Sequence, residues 1–354
     1  MFLDEITYID DWNLLLKELM EQGEFTVIAS GSNPIQIKSM AERLPGRGIE
    51  GNEYYFNPLS FKGFVRALVK LEDKINDKYI VKALKDVKGI NVNFSAIKSS
   101  AEELFPYYNE LERLFYVYLI TGGFPNAITD YIKNYSVSNE TYETLIRVIL
   151  GTLAKNGKSD DIAREIMASV LSLGATRTDF ITIAKDQNLH HNTVRDYLGL
   201  LENSRLIFIL NAWDVSKKRH AGRKQKKVVF QSPLIPIALH IYLKGGTWED
   251  ALEYAERNME WLVESTIASH IIWSEERPIL NEKHAFAGFY YSVNECDFVM
   301  LKNDKFYGFE SKYGKLKKHK YPFETLYLTK DFIEDDALPA SLFLFGLKKG
   351  TGCI

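Results

Sequence analysis

Between Asp179 and Gln231 the spacing of apolar residues changes once, and that change limits the fold more than any other feature of the chain. Asp179 to Gln187 carries apolar side chains at helical spacing, Asn188-Leu-His forms a turn, and His191 to Asn203 repeats the helical pattern. The run Arg205-Leu-Ile-Phe-Ile-Leu-Asn-Ala-Trp213 then has strand length, and Lys227-Val-Val-Phe-Gln231 supplies its partner. Helix, turn, helix and hairpin in that order predict a winged helix-turn-helix. The tip of the hairpin, Lys217 to Lys227, holds seven Lys or Arg and no acid.

The flanking segments have different periods. Residues 1–60 alternate short apolar runs with a helix in which Asp10 and Asp11 precede Trp12, Leu14, Leu15, Leu16, Leu19 and Met20, stopping at Gly23; Phe25-Thr-Val-Ile-Ala29 reads as a buried strand. Residues 61–135 are helical over Phe61 to Leu71, Ile75 to Lys85 and Glu102 to Leu119, until Thr121-Gly-Gly-Phe-Pro125 breaks the pattern. Residues 136–235 end in the helix-turn-helix. Residues 236–354 open with helices through Trp273 and close with strands expected at 289–293, 296–301, 306–311 and 341–347. The fold class is α/β, in several domains.

At 354 residues the chain exceeds what one hydrophobic core usually supports, and 46% hydrophobic residues are enough to fill more than one. With 44 Lys and Arg against 47 Asp and Glu the net charge is −3, which excludes a globally basic, histone-like binder and makes the run at 217–227 a local feature. Two cysteines, Cys296 and Cys353, cannot build a disulfide framework or a thiolate zinc site, which fits a reducing compartment and a cytoplasmic location. No stretch approaches the roughly 18 apolar residues that span a bilayer, and acidic Met1-Phe-Leu-Asp-Glu5 lacks the basic start of a signal peptide. No membrane partner is expected.

At the N-terminus an apolar stub, Met1-Phe-Leu3, precedes Asp4-Glu5. In P-loop NTPases a buried strand ends in an acid that orders Mg²⁺, and a following Glu polarises the attacking water; the plainer reading is an acidic first turn of a helix. Behind it come Ser30-Gly-Ser32, Glu42-Arg-Leu-Pro-Gly-Arg47 and Asn57-Pro-Leu-Ser-Phe61. This series resembles archaeal and bacterial AAA-type ATPases that carry a winged helix and a C-terminal PD-(D/E)XK nuclease-like domain, over essentially the whole chain. The resemblance implies a partial P-loop ATPase α/β segment from Walker B onward at 1–60 and a helical lid at 61–135. It further implies a winged helix at 136–235 and a restriction-endonuclease-like α/β domain at 236–354. It makes Asp4 and Glu5 Walker B, Ser32 a sensor 1 residue, and Arg43 or Arg47 a charge-neutralising arginine near the γ-phosphate. The family's Gly-x-x-x-x-Gly-Lys-Ser/Thr lies upstream of Walker B, where this sequence starts. ATP is therefore expected only with a complete P-loop, and hydrolysis by this chain alone is not expected. Gly151 to Ser159 does not replace the P-loop: five residues, not four, separate Gly151 from Gly157, and a helical pattern precedes them.

A basic run is ordinarily a solvated loop. On a wing, Lys217, Lys218, Arg219, Arg223, Lys224, Lys226 and Lys227 would neutralise phosphates while the second helix enters the major groove. His191, Asn192, Thr193 and Arg195 begin that helix, where Asn and Arg meet base edges, whereas Val194, Leu198 and Leu201 belong to the core. Duplex DNA is the expected partner.

The C-terminal block carries the most chemical pattern. Glu264 sits in a helix from Asn258 to Trp273, Asp297 begins an apolar strand, and Glu310-Ser-Lys312 follows on the next strand, with Glu310 and Lys312 on one face. Asp, then Glu-x-Lys, is the PD-(D/E)XK pattern. Asp297 and Glu310 would bind Mg²⁺ or Mn²⁺, with Glu264 beside them, and Lys312 would position a water for phosphodiester attack. As a bare pattern it equally describes a solvated strand face. The leading expectation is a DNA-associated protein that cuts or only holds nucleic acid. Its competitors are an ATPase whose P-loop comes from a longer native chain or a partner, and a non-catalytic scaffold that binds an acidic protein or another copy of itself.

Overall fold

The structure, a computed structural model, describes residues 1–6, 9–23, 26–31, 56–75, 78–87, 103–222, 225–275, 285–331 and 333–347. At the start β1 (Phe2–Leu3) and β2 (Ile28–Ala29) form a parallel pair, Phe2 opposite Ile28 and Leu3 opposite Ala29, linked through α1 (Trp12–Gln22). Ile6, Trp12 and Leu16 make a small core of their own under this pair. Gly23 ends α1 in the left-handed region, φ 68°.

Among the described residues six α-helices follow: α2 (Phe61–Lys70), α3 (Lys78–Val87), α4 (Tyr108–Thr121), α5 (Pro125–Asn134), α6 (Asn139–Lys155) and α7 (Asp160–Leu173). Ser60 caps α2 by accepting a hydrogen bond from the Gly63 N–H, and Phe61, Phe64, Val65 and Leu68 bury one stripe of it. Thr121-Gly-Gly-Phe-Pro125 is a joint. Gly123 has φ +73°, and a Cβ there would lie 2.2 Å from the Leu59 carbonyl oxygen, so only glycine lets the 56–60 segment lie against the end of α4. The Gly151–Ser159 stretch is the end of α6 and the turn into α7, as its spacing implied.

The two helices expected at 179–187 and 191–203 form as α8 (Phe180–Asp186) and α9 (His191–Asn203), with Asn188 turning the chain between them at φ 53°. Next come β3 (Ile207–Asp214), the short β4 (Arg219–His220) and β5 (Lys226–Phe230); β5 runs antiparallel to β3, and a bridge joins Lys226 to Thr178 just ahead of α8. The remainder is α10 (Leu234–Lys244), α11 (Trp248–Arg257), α12 (Met259–Glu275), β6 (Ala287–Tyr291), β7 (Glu295–Lys302), β8 (Lys305–Lys312), β9 (Glu324–Thr329), β10 (Ala337–Pro339) and α13 (Ala340–Gly346).

One sheet holds the hairpin and the C-terminal strands, in the order β10-β9-β8-β7-β6-β3-β4 with β5 also on β3. β6, β7 and β8 are antiparallel neighbours, while β9 and β10 add in parallel. The sheet therefore crosses the domain boundary expected near residue 235. The crossing is made by β3, whose second edge pairs with β6 at Asn211–Gly288 and Ala212–Phe289. Gly288 permits it: a Cβ there would meet the Asn211 carbonyl oxygen at 2.5 Å. One strand expectation fails. Residues 341–347 are not a strand but α13, because a short apolar run buried on all sides carries no period that separates strand from helix. Strand β9, which opens with Glu324 and Thr325, is missing from the sequence reading.

Two large cores meet along α4 and α12: one gathers α2, α3, α4, α13 and one face of the sheet, the other α6 to α11 with the opposite face of the hairpin. His270 on α12 ties that helix to the start of α2. Its Nδ1–H donates to the Thr266 carbonyl at 2.8 Å, and its Nε2 accepts from the Phe61 N–H at 3.0 Å, which fixes a neutral ring. Burial lowers its pKa to about 4.

Candidate functional site

The PD-(D/E)XK-like residues come together at one place, brought there by α12, β7 and β8, and a further side chain joins them from β5. Lys227, 1% exposed, extends its ammonium to Glu264 Oε1 at 2.5 Å, Glu295 Oε1 at 2.8 Å and Asp297 Oδ1 at 3.3 Å. Asp297 Oδ2 accepts the Ser311 N–H at 2.9 Å. Glu310, 2% exposed, pairs with Lys312 at 2.7 Å and accepts from the Tyr321 hydroxyl at 2.9 Å. Arg177, from the segment between α7 and α8, closes the ring by pairing with Glu295 Oε2 at 2.7 Å and lying over the Tyr291 ring.

The local sequence explains the convergence. On β5 alternate side chains face opposite ways, so Lys227 and Val229 share the face that packs on α12, while Lys226 points away. Glu264 lies on the part of α12 beneath β5, and Asp297 and Glu310 sit on neighbouring strands. Burial opposes the Lys227 charge, but Glu264, Asp297 and Glu295 outweigh it and hold its pKa well above the ordinary lysine value. Burial and the adjacent Asp297 push Glu264 up to about 8 despite the pull of Lys227. Burial and Asp297 also raise Glu310, against the hydrogen bonds from Lys312 and Tyr321. Lys312 is raised as well: burial works against its charge, and the Glu310 hydrogen bond with the Asp297 charge overcomes it.

These residues do not fit a resident Mg²⁺ or Mn²⁺ as they stand. Among the described residues no group of three or more His, Cys, Asp or Glu side chains is arranged to hold a metal ion. The cause is local: the oxygens of Glu264, Glu295 and Asp297 that face one another already face a buried ammonium, and Glu310 is taken by Lys312 and Tyr321. A second positive charge among them would meet Lys227 directly.

The helix-turn-helix surface is built differently. His191, Asn192 and Arg195 are exposed and Thr193 is half-buried, while Val194, Tyr197, Leu198 and Leu201 anchor α9. Arg195 also lines a cleft of about 260 Å³ with Glu202, Asn211, His220 and Lys226. The basic run divides. Lys217, Lys218 and Arg219 are exposed, Lys217 beside Asp214 and Lys218 paired with Asp304. Lys226 is half-buried and donates to Asn211 Oδ1 at 2.8 Å and the Gly222 carbonyl at 2.9 Å. Lys227, expected to reach phosphates, is buried among acids. Arg223 and Lys224 lie outside the described residues, as do Ser32, Arg43 and Arg47.

At the N-terminus the parallel pairing sets the ends of β1 and β2 side by side, and Ser30 Oγ donates to Asp4 Oδ1. Glu5 follows Asp4 with a positive φ of 50°. Four partners escaped sequence reading: Ser30, Arg177, Glu295 and Tyr321. For Glu295 there was a signal, since it stands two residues before Asp297 and strand alternation puts both on one face.

The layout is that of a mixed α/β protein of several parts, with a helical region and a mixed sheet. Residues 1–65 match the model of an AAA domain, and residues 112–233 match a domain of unknown function, DUF8612. Two curated relatives come from Methanocaldococcus jannaschii. The uncharacterized protein MJ1637 is 22% identical over 275 residues, 77% of this chain and 53% of that protein. The uncharacterized protein MJ1544 is 23% identical over 266 residues, 72% of this chain and 49% of that protein. The chain thus spans about half the length of the curated relatives it matches. No solved structure matches. The AAA match and these archaeal relatives together support an AAA-type ATPase-like family. No helix among the described residues is long and apolar enough to cross a membrane.

Proposed function

We propose that the protein is a DNA-associated relative of AAA-type ATPases, that α9 meets duplex DNA, and that the C-terminal sheet is a nuclease-like domain that holds nucleic acid rather than cutting it. The observation that carries the DNA reading is the division of α9 into two faces. Val194, Tyr197, Leu198 and Leu201 fasten it to its neighbours, and His191, Asn192 and Arg195 stand exposed on its first turns, ahead of an antiparallel hairpin with Thr178 bridged to it. These features support the winged-helix reading, in which Asn192 and Arg195 stand where bidentate base contacts are made. The exposed Lys217, Lys218 and Arg219 lie on the connection between the strands and add phosphate contacts.

The test is duplex binding measured by fluorescence anisotropy against salt. Asn192→Ala with Arg195→Ala weakens binding by about 10- to 100-fold or more, and Lys217→Gln with Arg219→Gln lowers the log-log salt slope by about one unit per lost contact. Unchanged affinity and slope in both variants would remove the DNA reading.

A second reading rests on the N-terminal pair. In it Asp4 and Glu5 act as Walker B and Ser32 as sensor 1 when a P-loop on a longer chain or a partner supplies the phosphate cradle, a reading supported by the parallel pairing of β1 with β2 inside the AAA match. Under this reading ATP binds only to the assembled pair, and this chain alone hydrolyses none.

A further inference from the structure

We propose that Lys227 is the resident cation of the acid cluster: its ammonium supplies the positive charge that the PD-(D/E)XK resemblance assigns to a divalent metal, so the site is complete without a metal ion. The inference stands on the cluster's own geometry and does not depend on DNA binding by α9. A carboxylate group of this density, taken out of water, requires a counter-charge. Here three acids share one buried ammonium at 2.5 to 3.3 Å, Arg177 takes the outer oxygen of Glu295, and Lys312 takes Glu310. Every acid of the expected metal site therefore has a cationic partner within the chain.

Those cations come largely from the helix-turn-helix half. Lys227 lies on the hairpin strand that pairs with β3, and Arg177 lies in the segment leading into α8. The acids come from α12, β7 and β8. The counter-ions that neutralise the nuclease-like site are thus the same residues that fasten the helix-turn-helix to the sheet, which makes the lysine a structural clamp as well as a charge. A domain that keeps the acids of a metal nuclease but fills their centre from its neighbour is fixed in a non-cutting state.

The experiment is a titration of the full chain with Mn²⁺, read by the loss of the free-ion electron paramagnetic resonance signal and by thermal unfolding with Mn²⁺ or chelator. The wild-type chain is expected to take up no stoichiometric Mn²⁺ and to unfold at the same Tm in both. Lys227→Met removes the counter-charge at nearly constant length, so its Tm falls by about 5 °C in chelator and recovers in millimolar Mn²⁺ as the freed acids take the ion. Should that variant not fold, K227M/E264Q removes one acid with the lysine and is expected to fold with a Tm above that of the single variant. Stoichiometric Mn²⁺ uptake by the wild-type chain that Asp297→Asn abolishes would overturn the proposal. So would a Lys227→Met chain as stable as wild type, or a double variant no better than the single.

Discussion

Lys217 and Lys227 open and close the same basic run, yet the first stands in water beside Asp214 and the second is 1% exposed, surrounded by Glu264, Glu295 and Asp297. In the sequence they are equivalent letters in a charge cluster. What separates them is strand alternation. Lys217 precedes the sheet edge, whereas Lys227 sits in β5 on the same face as Val229, and that face packs on α12. Charge density in a sequence thus measures attraction for a partner without saying whether the partner is a phosphate outside or a carboxylate inside.

The largest expected effect sharpens this contrast. Lys227→Met should cost about 3–5 kcal/mol, because it leaves buried carboxylates facing one another, while Lys217→Met should stay within about 0.5 kcal/mol; urea unfolding of both decides it. Equal costs would break the comparison. The histidines offer a second contrast, buried His270 against exposed His191. His270 has a folded pKa of about 4 against 6.5 for the free side chain, so the unfolded chain binds its proton first and stability falls as pH drops from about 6.5 to 4. The loss is about 3 kcal/mol, and it disappears in His270→Gln, although that variant is less stable at neutral pH; exposed His191→Gln should stay within about 0.5 kcal/mol of wild type. A further pH effect involves Glu264. Its folded pKa of about 8 lies above the ordinary 4.5, so the folded chain holds the extra proton and stability declines as pH rises across that interval. Glu264→Gln removes this alkaline decline; a decline that persists in the variant would place the proton elsewhere.

Much of this was legible in the sequence, for identifiable reasons. The ends of α8 and α9 followed from helical spacing and from Asn188, and Glu264, Asp297, Glu310 and Lys312 converge as the pattern on α12, β7 and β8 implied. The partners of those residues were not legible. Lys227 and Arg177 reach the acids only because β3 pairs with β6, a contact between segments far apart in the chain that no local period encodes. The same limit explains α13, whose residues Ala340 to Gly346 are buried on every side and so show no alternation. Ser30 meets Asp4 in the described N-terminus because the register of β1 on β2 sets it there, and register is likewise invisible in the letters.

The central claim is that one basic run contributes both a solvent-exposed and a fully enclosed ammonium. Reductive methylation of the native chain, read residue by residue by mass spectrometry, measures it directly. Lys217 should be methylated at the rate of a free lysine, and Lys227 should remain unmodified until the chain is unfolded. Methylation of Lys227 in the native chain at the rate of Lys217 would contradict the buried counter-ion and the acid cluster built around it.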